Sequence, residues 1–241
     1  MNLILFCEKY IHLNIPFDDP RAEHVRKVLR MGVGQLFDVG VINGPRGKAR
    51  IISDDSDGMN LTMEWGDVPP MPYPITLIVG LPRPQTARKI LQETTSLGVD
   101  AIWFFQADKG DPSYSRSRLW STSEWRRHLH LGAEQAFTTH IPEVFNFDSL
   151  AECILKLSTQ SDRIALDNYE ATLQLGSYKI HHPASVIAIG SERGWSTEER
   201  DLLRDAEFAF YNLGPRVLRT ETAGVAAISI LVSKIEAHSP R

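Results

Sequence analysis

Residues Val186–Leu231 decide the fold, and they read VIAIGSERGWSTEERDLLRDAEFAFYNLGPRVLRTETAGVAAISIL. The apolar run at 186–189 predicts a short buried strand that ends at Gly190. Ser196 stands three residues before Glu199. This is the spacing of a capping box, and it predicts a helix that begins after the serine. The segment therefore opens as a strand, a glycine-bearing loop and a helix.

The second half of this segment repeats the same order of elements. Phe208–Leu213 predicts a strand, and Gly214 opens the loop that follows it. The small and apolar residues of Thr222–Val232 predict a final helix. Alternation of strands and helices indicates an α/β fold with a parallel sheet. Ligands of such sheets bind at the carboxyl ends of the strands, so the loops at Gly190 and Gly214 are expected to lie close together.

The two loops carry a resemblance to a known family. GSERGWSTEE followed by LGPRVLRTETA resembles the GPEGG…LGxRILRTETA signature of the 16S ribosomal RNA (uracil-N3)-methyltransferases, the RsmE family of the SPOUT superfamily. The resemblance implies a SPOUT-type parallel sheet with a C-terminal trefoil knot, preceded by a small PUA-like β-barrel domain. The first loop departs from the family pattern, because Ser191 stands where proline is usual and Arg193 where glycine is usual.

The resemblance also implies a function. The cofactor is expected to be S-adenosylmethionine, and the reaction methyl transfer to N3 of a uridine in 16S rRNA, with the assembled small ribosomal subunit as the expected substrate. A homodimer is expected as well. Two alternatives stay open: a SPOUT methyltransferase that acts on another RNA position, such as a ribose 2′-hydroxyl, and a non-catalytic RNA-binding protein of ribosome assembly.

Two side chains of the second loop are the candidates for catalysis. Arg219 is expected to stabilise the negative charge that develops on the uracil oxygens, and Glu221 to accept the N3 proton. The alternative is that these two side chains pair with each other and only hold the loop.

The cofactor is expected to bind between the two loops. Leu166 ends a predicted strand that faces them, so it is expected to line the same cavity, whereas Asp167 is either a functional carboxylate or a turn residue. The predicted cofactor-binding residues are Leu166, Gly190, Ser191, Glu192, Gly194, Leu213, Gly214, Arg216, Val217, Leu218, Thr220, Thr222 and Ala223.

The region before residue 75 predicts a separate domain. Residues 1–68 contain several short predicted strands and one helix, which is typical of a small barrel. Four prolines interrupt the stretch Asp67–Pro74, and such a stretch continues neither a helix nor a sheet. The sequence therefore predicts a domain boundary here, and the resemblance implies an RNA-binding domain over 1–68 and a methyltransferase domain over 74–241.

Basic residues gather in the helix of the first domain, which is predicted to begin at Asp18–Pro20. The segment HVRKVLRMGVGQ, at 24–35, resembles the HxxxVLR…VG segment of the PUA-like domain. The resemblance favours a phosphate-contacting patch over a solvated helix face. The predicted RNA-binding residues are Arg21, His24, Arg26, Lys27 and Arg30.

Three further segments carry expectations about the second domain. Residues 120–137 predict one long amphipathic helix, and Asp148 is expected to cap a helix that runs to Leu157. The polar stretch Lys109–Arg118 is either a plain surface loop or a contact for RNA. His128 and His130 are two residues apart on the predicted helix, so they point in different directions and no metal site is expected.

Composition excludes several classes of protein. The formal net charge is −4, so an RNA-binding role requires local basic patches. No apolar run approaches the length of a membrane span. Cys7 and Cys153 lack metal-binding spacing and are typical of a reducing cytoplasm. There is no P-loop, and no G-x-G-x-x-G follows a strand.

Overall fold

The structure, a computed structural model, describes residues 3–238 of the 241-residue chain, and these form two compact units. Unit 1 comprises the chain up to Met71 together with Ala133–Ile141, and unit 2 comprises Pro72–Gly132 and the chain from Pro142 onward. The segment 133–141 differs from the predicted boundary, which assigned it to the second domain. Hydrogen bonds within unit 1 explain the difference, because Asn43 N–H donates to the Thr139 carbonyl at 2.8 Å and the Thr139 hydroxyl donates to the Gly44 carbonyl at 2.7 Å.

Unit 1 is built on a curled five-stranded sheet in the order β1-β3-β4-β5-β2. The strands β1 and β3 run parallel, and the other neighbours are antiparallel. Alternate residues of β5, namely Met59, Leu61 and Met63, are buried, as the two-residue period of a strand requires. The strand β2 was not predicted, because it is short and mostly polar. The strands are β1 (Ile4–Phe6), β2 (His12–Ile15), β3 (Leu36–Val41), β4 (Arg46–Asp55) and β5 (Gly58–Trp65).

The predicted basic helix of unit 1 is present, but it is short and irregular. Helix α1 spans Pro20–His24, and its N-cap Asp19 accepts a hydrogen bond from Arg21 N–H at 2.8 Å. The chain continues as a π-helical turn over Val25–Leu29 and ends at Arg30, whose φ is 54°.

Unit 2 contains a seven-stranded sheet in the order β10-β12-β9-β11-β6-β7-β8, in which every neighbouring pair is parallel. The parallel α/β sheet expected from the sequence is therefore confirmed. The central strand β11 is buried along nearly its whole length, which explains its continuous apolar run. The strands are β6 (Tyr73–Gly80), β7 (Val99–Phe105), β8 (Glu143–Phe147), β9 (Ser161–Leu166), β10 (Leu173–Gln174), β11 (Ala184–Ile189) and β12 (Ala209–Asn212).

Helices connect these strands, and the last of them, α7, packs against α2, β11 and β6. It begins at Thr220 and ends at His238, so it is longer at both ends than predicted. The helices are α2 (Pro84–Ser96), α3 (Arg118–Ser121), α4 (Glu124–Ala136), α5 (Leu150–Leu155), α6 (Thr197–Asp205) and α7 (Thr220–His238). Within residues 3–238, no helix combines the length and the apolar character that crossing a membrane requires.

Two helix predictions were wrong in detail. The single helix expected over 120–137 is divided into α3 and α4, because Thr122 takes an extended conformation and its hydroxyl donates to the Arg118 carbonyl at 2.7 Å. The cap of α5 is Ser149 rather than Asp148, since the Ser149 hydroxyl accepts the Glu152 N–H. That helix ends at Leu155, two residues before the predicted end.

Candidate functional site

The first loop of the site, Gly190–Ser196, joins β11 to α6 and is closed by its own hydrogen bonds. Gly194 N–H donates to the Ser191 carbonyl at 2.8 Å, and the Ser191 hydroxyl donates to the Gly194 carbonyl at 3.1 Å. Gly194 has a φ of 74°, a conformation that favours glycine. A Cβ placed on Gly190 would lie 3.0 Å from the Gly194 carbonyl carbon and 3.1 Å from Trp195. The turn therefore brings backbone atoms that carry no side chain close to the end of β11.

Buried side chains fix the far end of this loop. Ser196 and Glu199 form the predicted capping box of α6, and Glu199 also accepts the Asp108 N–H at 3.0 Å. Burial raises the pKa of Glu199. Trp195 is 2% exposed, and its indole N–H donates to the Leu166 carbonyl at 2.8 Å. The loop is therefore joined to the carboxyl end of β9 and to the segment after β7.

The second loop, Leu213–Arg219, joins β12 to α7. Gly214 has a φ of 105°, and its N–H donates to the Asn212 side-chain oxygen at 3.0 Å. Arg216 and Arg219 are exposed, and Val217 is 81% exposed. The loop thus places cationic and apolar side chains outward at the carboxyl edge of the sheet.

Both loops line one cavity of about 280 Å³, hereafter the first cavity. The two glycine loops are thus brought together, as the sequence predicted, and Leu166 lies beside them. The predicted cofactor residues that line the cavity are Leu166, Gly190, Ser191, Glu192, Gly194, Leu213, Val217, Leu218, Thr220 and Ala223. Gly214, Arg216 and Thr222 are not among the lining residues. The further lining residues, which were not among the predicted cofactor-binding residues, are Asn168, Tyr169, Ile189, Arg193 and Asn212.

A second cleft, of about 430 Å³, adjoins the first cavity, and the two share part of their walls. Arg219 and Glu221, the two predicted catalytic residues, both line this second cleft. Arg83 lines it too and was missed, although its position directly after β6, at the start of α2, is a signal for a site residue. The walls common to the first cavity and the second cleft are Glu192, Val217, Leu218 and Thr220.

Helix α2 holds the two carboxylates of the second cleft. The Glu192 carboxylate accepts the Thr86 hydroxyl at 2.9 Å and lies 3.2 Å from Arg83 Nε. The Glu221 carboxylate lies 3.3 Å from Lys89 Nζ. The partner of Glu221 is therefore Lys89 rather than Arg219. Within residues 3–238, no hydrogen bond or ion pair joins the Arg219 guanidinium to another group.

Asp167 organises the turn beside the first cavity. Its side chain is buried and accepts the Tyr169 N–H at 2.5 Å, the Glu170 N–H at 3.2 Å and Arg200 Nε at 2.6 Å. These bonds place Tyr169, which is 85% exposed, at the rim of the cavity. Of the two readings of Asp167, the turn residue matches this geometry.

The predicted RNA-binding residues of unit 1 are mostly engaged with carboxylates. Arg21 pairs with Asp19 at 2.7 Å, and this hydrogen-bonded pair lowers the pKa of Asp19. Arg26 pairs with Asp54 at 2.6 Å, and Lys27 pairs with a glutamate one turn away. Arg30 is exposed. His24 is half-buried. Three of these five side chains are thus neutralised within the protein.

The described residues hold no group of three or more His, Cys, Asp or Glu side chains that could bind a metal ion. His128 lies 3.8 Å from Glu124, and burial lowers the pKa of both His128 and His130. The two histidines are therefore favoured in the neutral form inside the helix packing.

Comparison with known proteins places the chain in a family. A family model described as an RNA methyltransferase domain matches residues 69–232. Ribosomal RNA small subunit methyltransferase E of Treponema pallidum is 34% identical over 247 residues, which cover 98% of this chain and 92% of that protein.

Solved structures share the fold. The crystal structure of ribosomal RNA small subunit methyltransferase E from Neisseria gonorrhoeae, bound to S-adenosyl methionine, has a TM-score of 0.82 at 24% identity and covers 97% of each chain. A putative methyltransferase from Legionella pneumophila, in complex with the same cofactor, has a TM-score of 0.83 at 23% identity and covers 96% of each chain. With the matching family model and the curated relative, the chain belongs to the ribosomal RNA small subunit methyltransferase E family of RNA methyltransferases.

Proposed function

We propose that the protein uses S-adenosylmethionine to methylate N3 of a uridine in 16S rRNA. The observation that carries the proposal is the shared wall between the first cavity and the second cleft. A methyl donor in the cavity and a base in the cleft would meet at Leu218 and Thr220. Relatives named ribosomal RNA small subunit methyltransferase E support the choice of substrate.

The first cavity fits the cofactor in chemical character. Leu166, Ile189 and Leu218 supply apolar walls for an adenine ring, and the glycine loops allow close approach to the backbone. Ligand sites of this kind are mostly apolar with a few placed polar groups. When bound, S-adenosylmethionine supplies an electrophilic methyl group. The two homologous folds solved with this cofactor support the assignment.

The second cleft fits the chemistry of the acceptor. The N3 of uracil carries a proton, so negative charge develops on O2 and O4 as that proton leaves. Arg219 is exposed and unpaired within the described chain, so its guanidinium is free to stabilise this charge. The Glu221 carboxylate is 7% exposed and takes the proton in the proposal. Lys89 keeps it in place at the start of α7.

Alignment of the two reactants is expected to contribute the remaining rate enhancement. Thr86 and Arg83 hold Glu192 on the wall that the cavity and the cleft share, and Lys89 holds Glu221 on the acceptor side. Both anchors belong to α2, so one rigid helix fixes both sides of the site. Holding two reactants in a fixed geometry is worth several kcal/mol of the barrier.

The finer features of the fold and assembly are part of the same proposal. The chain leaves β12, on the far side of β9, and returns as α7, which packs on β11 and β6; this path supports a C-terminal trefoil knot. The curled sheet of unit 1 supports a PUA-like RNA-binding domain over 1–68. We assign the assembled small ribosomal subunit as substrate, a homodimer as the active form and the cytoplasm as the location.

Calorimetry and methyl transfer test the proposal together. Purified protein is titrated with S-adenosylmethionine, and it is then incubated with labelled cofactor and small subunits that lack the modification. We expect binding at one site per chain and N3-methyluridine in the digested 16S rRNA. Subunits that already carry the methyl group are the matched control and should take up no label. A 2′-O-methylated nucleotide would contradict the assigned position, and absent cofactor binding would favour a non-catalytic role.

A further inference from the structure

Several arginines of unit 2 are held by partners inside the protein. Arg88 pairs with Glu124 at 2.7 Å, and Arg200 pairs with the buried Asp167 at 2.6 Å. The Arg163 guanidinium donates to the Ala206 carbonyl at 2.8 Å. A side chain engaged in this way is not available to an external anion without losing its internal contact.

Three arginines without such a partner lie on segments that follow the carboxyl ends of strands. Arg116, Arg193 and Arg216, hereafter the arginine edge, are all exposed. Within residues 3–238, none of their guanidinium groups donates a hydrogen bond to another residue. They belong to the segments that follow the carboxyl ends of β7, β11 and β12, and Arg193 lines the first cavity.

Contacts between the loops bring two of these arginines together. Lys109 Nζ donates to the Trp195 carbonyl at 2.7 Å, which fixes the segment after β7 against the end of the first loop. Asp111 is held by the Ser113 N–H at 2.9 Å, and it faces Arg193 and Arg116 at once. Besides the hydrogen bonds from Ser113, these two cations lower the pKa of Asp111. One carboxylate is thus near two arginines, and these three groups together keep a positive charge.

The chemistry of this edge suits the phosphate groups of RNA. The guanidinium fork matches phosphate oxygens in two parallel hydrogen bonds, and an exposed, unpaired arginine offers that fork without giving up another contact. A chain with a formal net charge of −4 requires such a local patch to attract RNA. Phosphate contacts fix the position of a nucleic acid and do not read its sequence.

We propose that Arg193, together with Arg116 and Arg216 on the adjoining segments, binds the phosphate groups next to the target nucleotide and so positions the rRNA over the second cleft. The proposal rests on the proposed function for the identity of the nucleic acid. Arg193 is a positioning residue in this scheme, since it lines the first cavity but its proposed contact is with phosphate rather than with the reacting base.

The test measures methylation of small subunits by Arg193→Met at several KCl concentrations. Each phosphate contact contributes about 0.7 to 0.9 to the slope of log affinity against log salt, so the slope should decrease by that amount. At moderate salt the KM for subunits should rise ~3- to 10-fold. The dissociation constant for S-adenosylmethionine, measured in parallel, should change by less than the KM. Arg193→Lys, which keeps the charge, should recover most of the slope.

Lys156→Met is the matched control, because Lys156 is an exposed cation at the end of α5 and lines neither the cavity nor the cleft. It should leave the KM and the slope as in the wild type. An unchanged slope in Arg193→Met overturns the proposal. A rise in the cofactor dissociation constant that equals the rise in KM also overturns it, since Arg193 would then contact the cofactor.

A separate measurement distinguishes this proposal from the proposed function. Fluorescence anisotropy with a single-stranded oligoribonucleotide reports RNA binding whether or not methyl transfer occurs. Arg193→Met should again show a smaller salt slope, and Arg116→Met and Arg216→Met should each show a decrease of similar size. If the wild-type protein methylates no subunits yet these decreases appear, the arginine edge stands and the proposed function fails. Unchanged slopes in all three variants overturn the arginine edge.

Discussion

The basic helix of unit 1 and the arginine edge of unit 2 both carry positively charged side chains, but these differ in whether a carboxylate of the protein pairs with them. In the basic helix, Arg21, Arg26 and Lys27 are paired with carboxylates of the same unit. At the arginine edge, the guanidinium groups of Arg193 and Arg216 form no hydrogen bond or ion pair with a carboxylate of the described residues. The number of basic residues is therefore a poor guide to where an RNA backbone binds, because internal pairing decides whether the charge is available.

The difference has a structural cause. The helix of unit 1 lies against strand residues that include acids, and Asp54 of β4 accepts three hydrogen bonds from Arg26. The loops of unit 2 project beyond the ends of parallel strands, where Asp111 is the acid that faces Arg193 and Arg116. Loops that leave the edge of a parallel sheet thus offer charge to a ligand more readily than a helix packed on a curled sheet.

The largest expected effect of a single change concerns Arg219, at the second cleft. Arg219→Ala should reduce the kcat of methyl transfer by about 10²- to 10³-fold, the usual loss when one group that stabilises a developing negative charge is removed. Single-turnover methylation with saturating cofactor and subunits measures it. Cofactor affinity and thermal stability should remain those of the wild type. Methyl transfer at the wild-type rate would remove Arg219 from the chemistry and weaken the contrast between the two regions.

A smaller effect is expected from crowding the first loop. A Cβ on Gly80 would lie 2.6 Å from Ser191 N, so Gly80→Ala should displace that loop and weaken S-adenosylmethionine binding by about tenfold, with 1–3 kcal/mol lost from the free energy of unfolding. Calorimetry and chemical denaturation measure the two quantities.

Gly224→Ala in α7 is the matched control, because its Cβ would meet only Ile189 Cδ1 at 3.7 Å. It should leave cofactor binding unchanged and stabilise the helix by up to about 1 kcal/mol. Equal cofactor affinity in Gly80→Ala and wild type would show that the loop tolerates displacement.

The smallest functional effect is expected in the basic helix of unit 1. Arg26→Met breaks the ion pair with Asp54 and should lower the free energy of unfolding by about 1 kcal/mol. The KM for subunits and its salt dependence should stay within about twofold of wild type, since the paired charge makes no phosphate contact. Arg30→Met, which removes an exposed arginine of the same helix, is the comparison variant. A salt slope for Arg26→Met as reduced as that of Arg193→Met would erase the distinction between the two regions.

Much of unit 2 was predictable from the sequence because its signals are local. The apolar run of β11, the capping box at Ser196 and Glu199, and the glycines of both loops each specify their own structure. Parallel order then brings the loops together at one edge. The convergence of the loops beside Leu166 follows from these local facts and from the geometry of a parallel sheet.

The remaining features depend on partners distant in the chain, which a single sequence does not show. The pairing of Glu221 with Lys89 joins two helices, and the placement of 133–141 in unit 1 depends on hydrogen bonds to the turn at Asn43 and Gly44. The division between α3 and α4 is local, but it rests on the competition of the Thr122 hydroxyl with the backbone. The amphipathic pattern of residues 120–137 alone does not show this break.

The order of the strands also bears on how the molecule is made. The residues that line the first cavity are spread along the sequence from Leu166 to Ala223. The strand β9 can pair with β12 only after the whole of α6 has been synthesised. Non-local pairing of this kind slows folding. A newly made chain therefore completes its binding site only once α7 has been synthesised, and truncation before α7 should remove the cavity walls at Thr220 and Ala223.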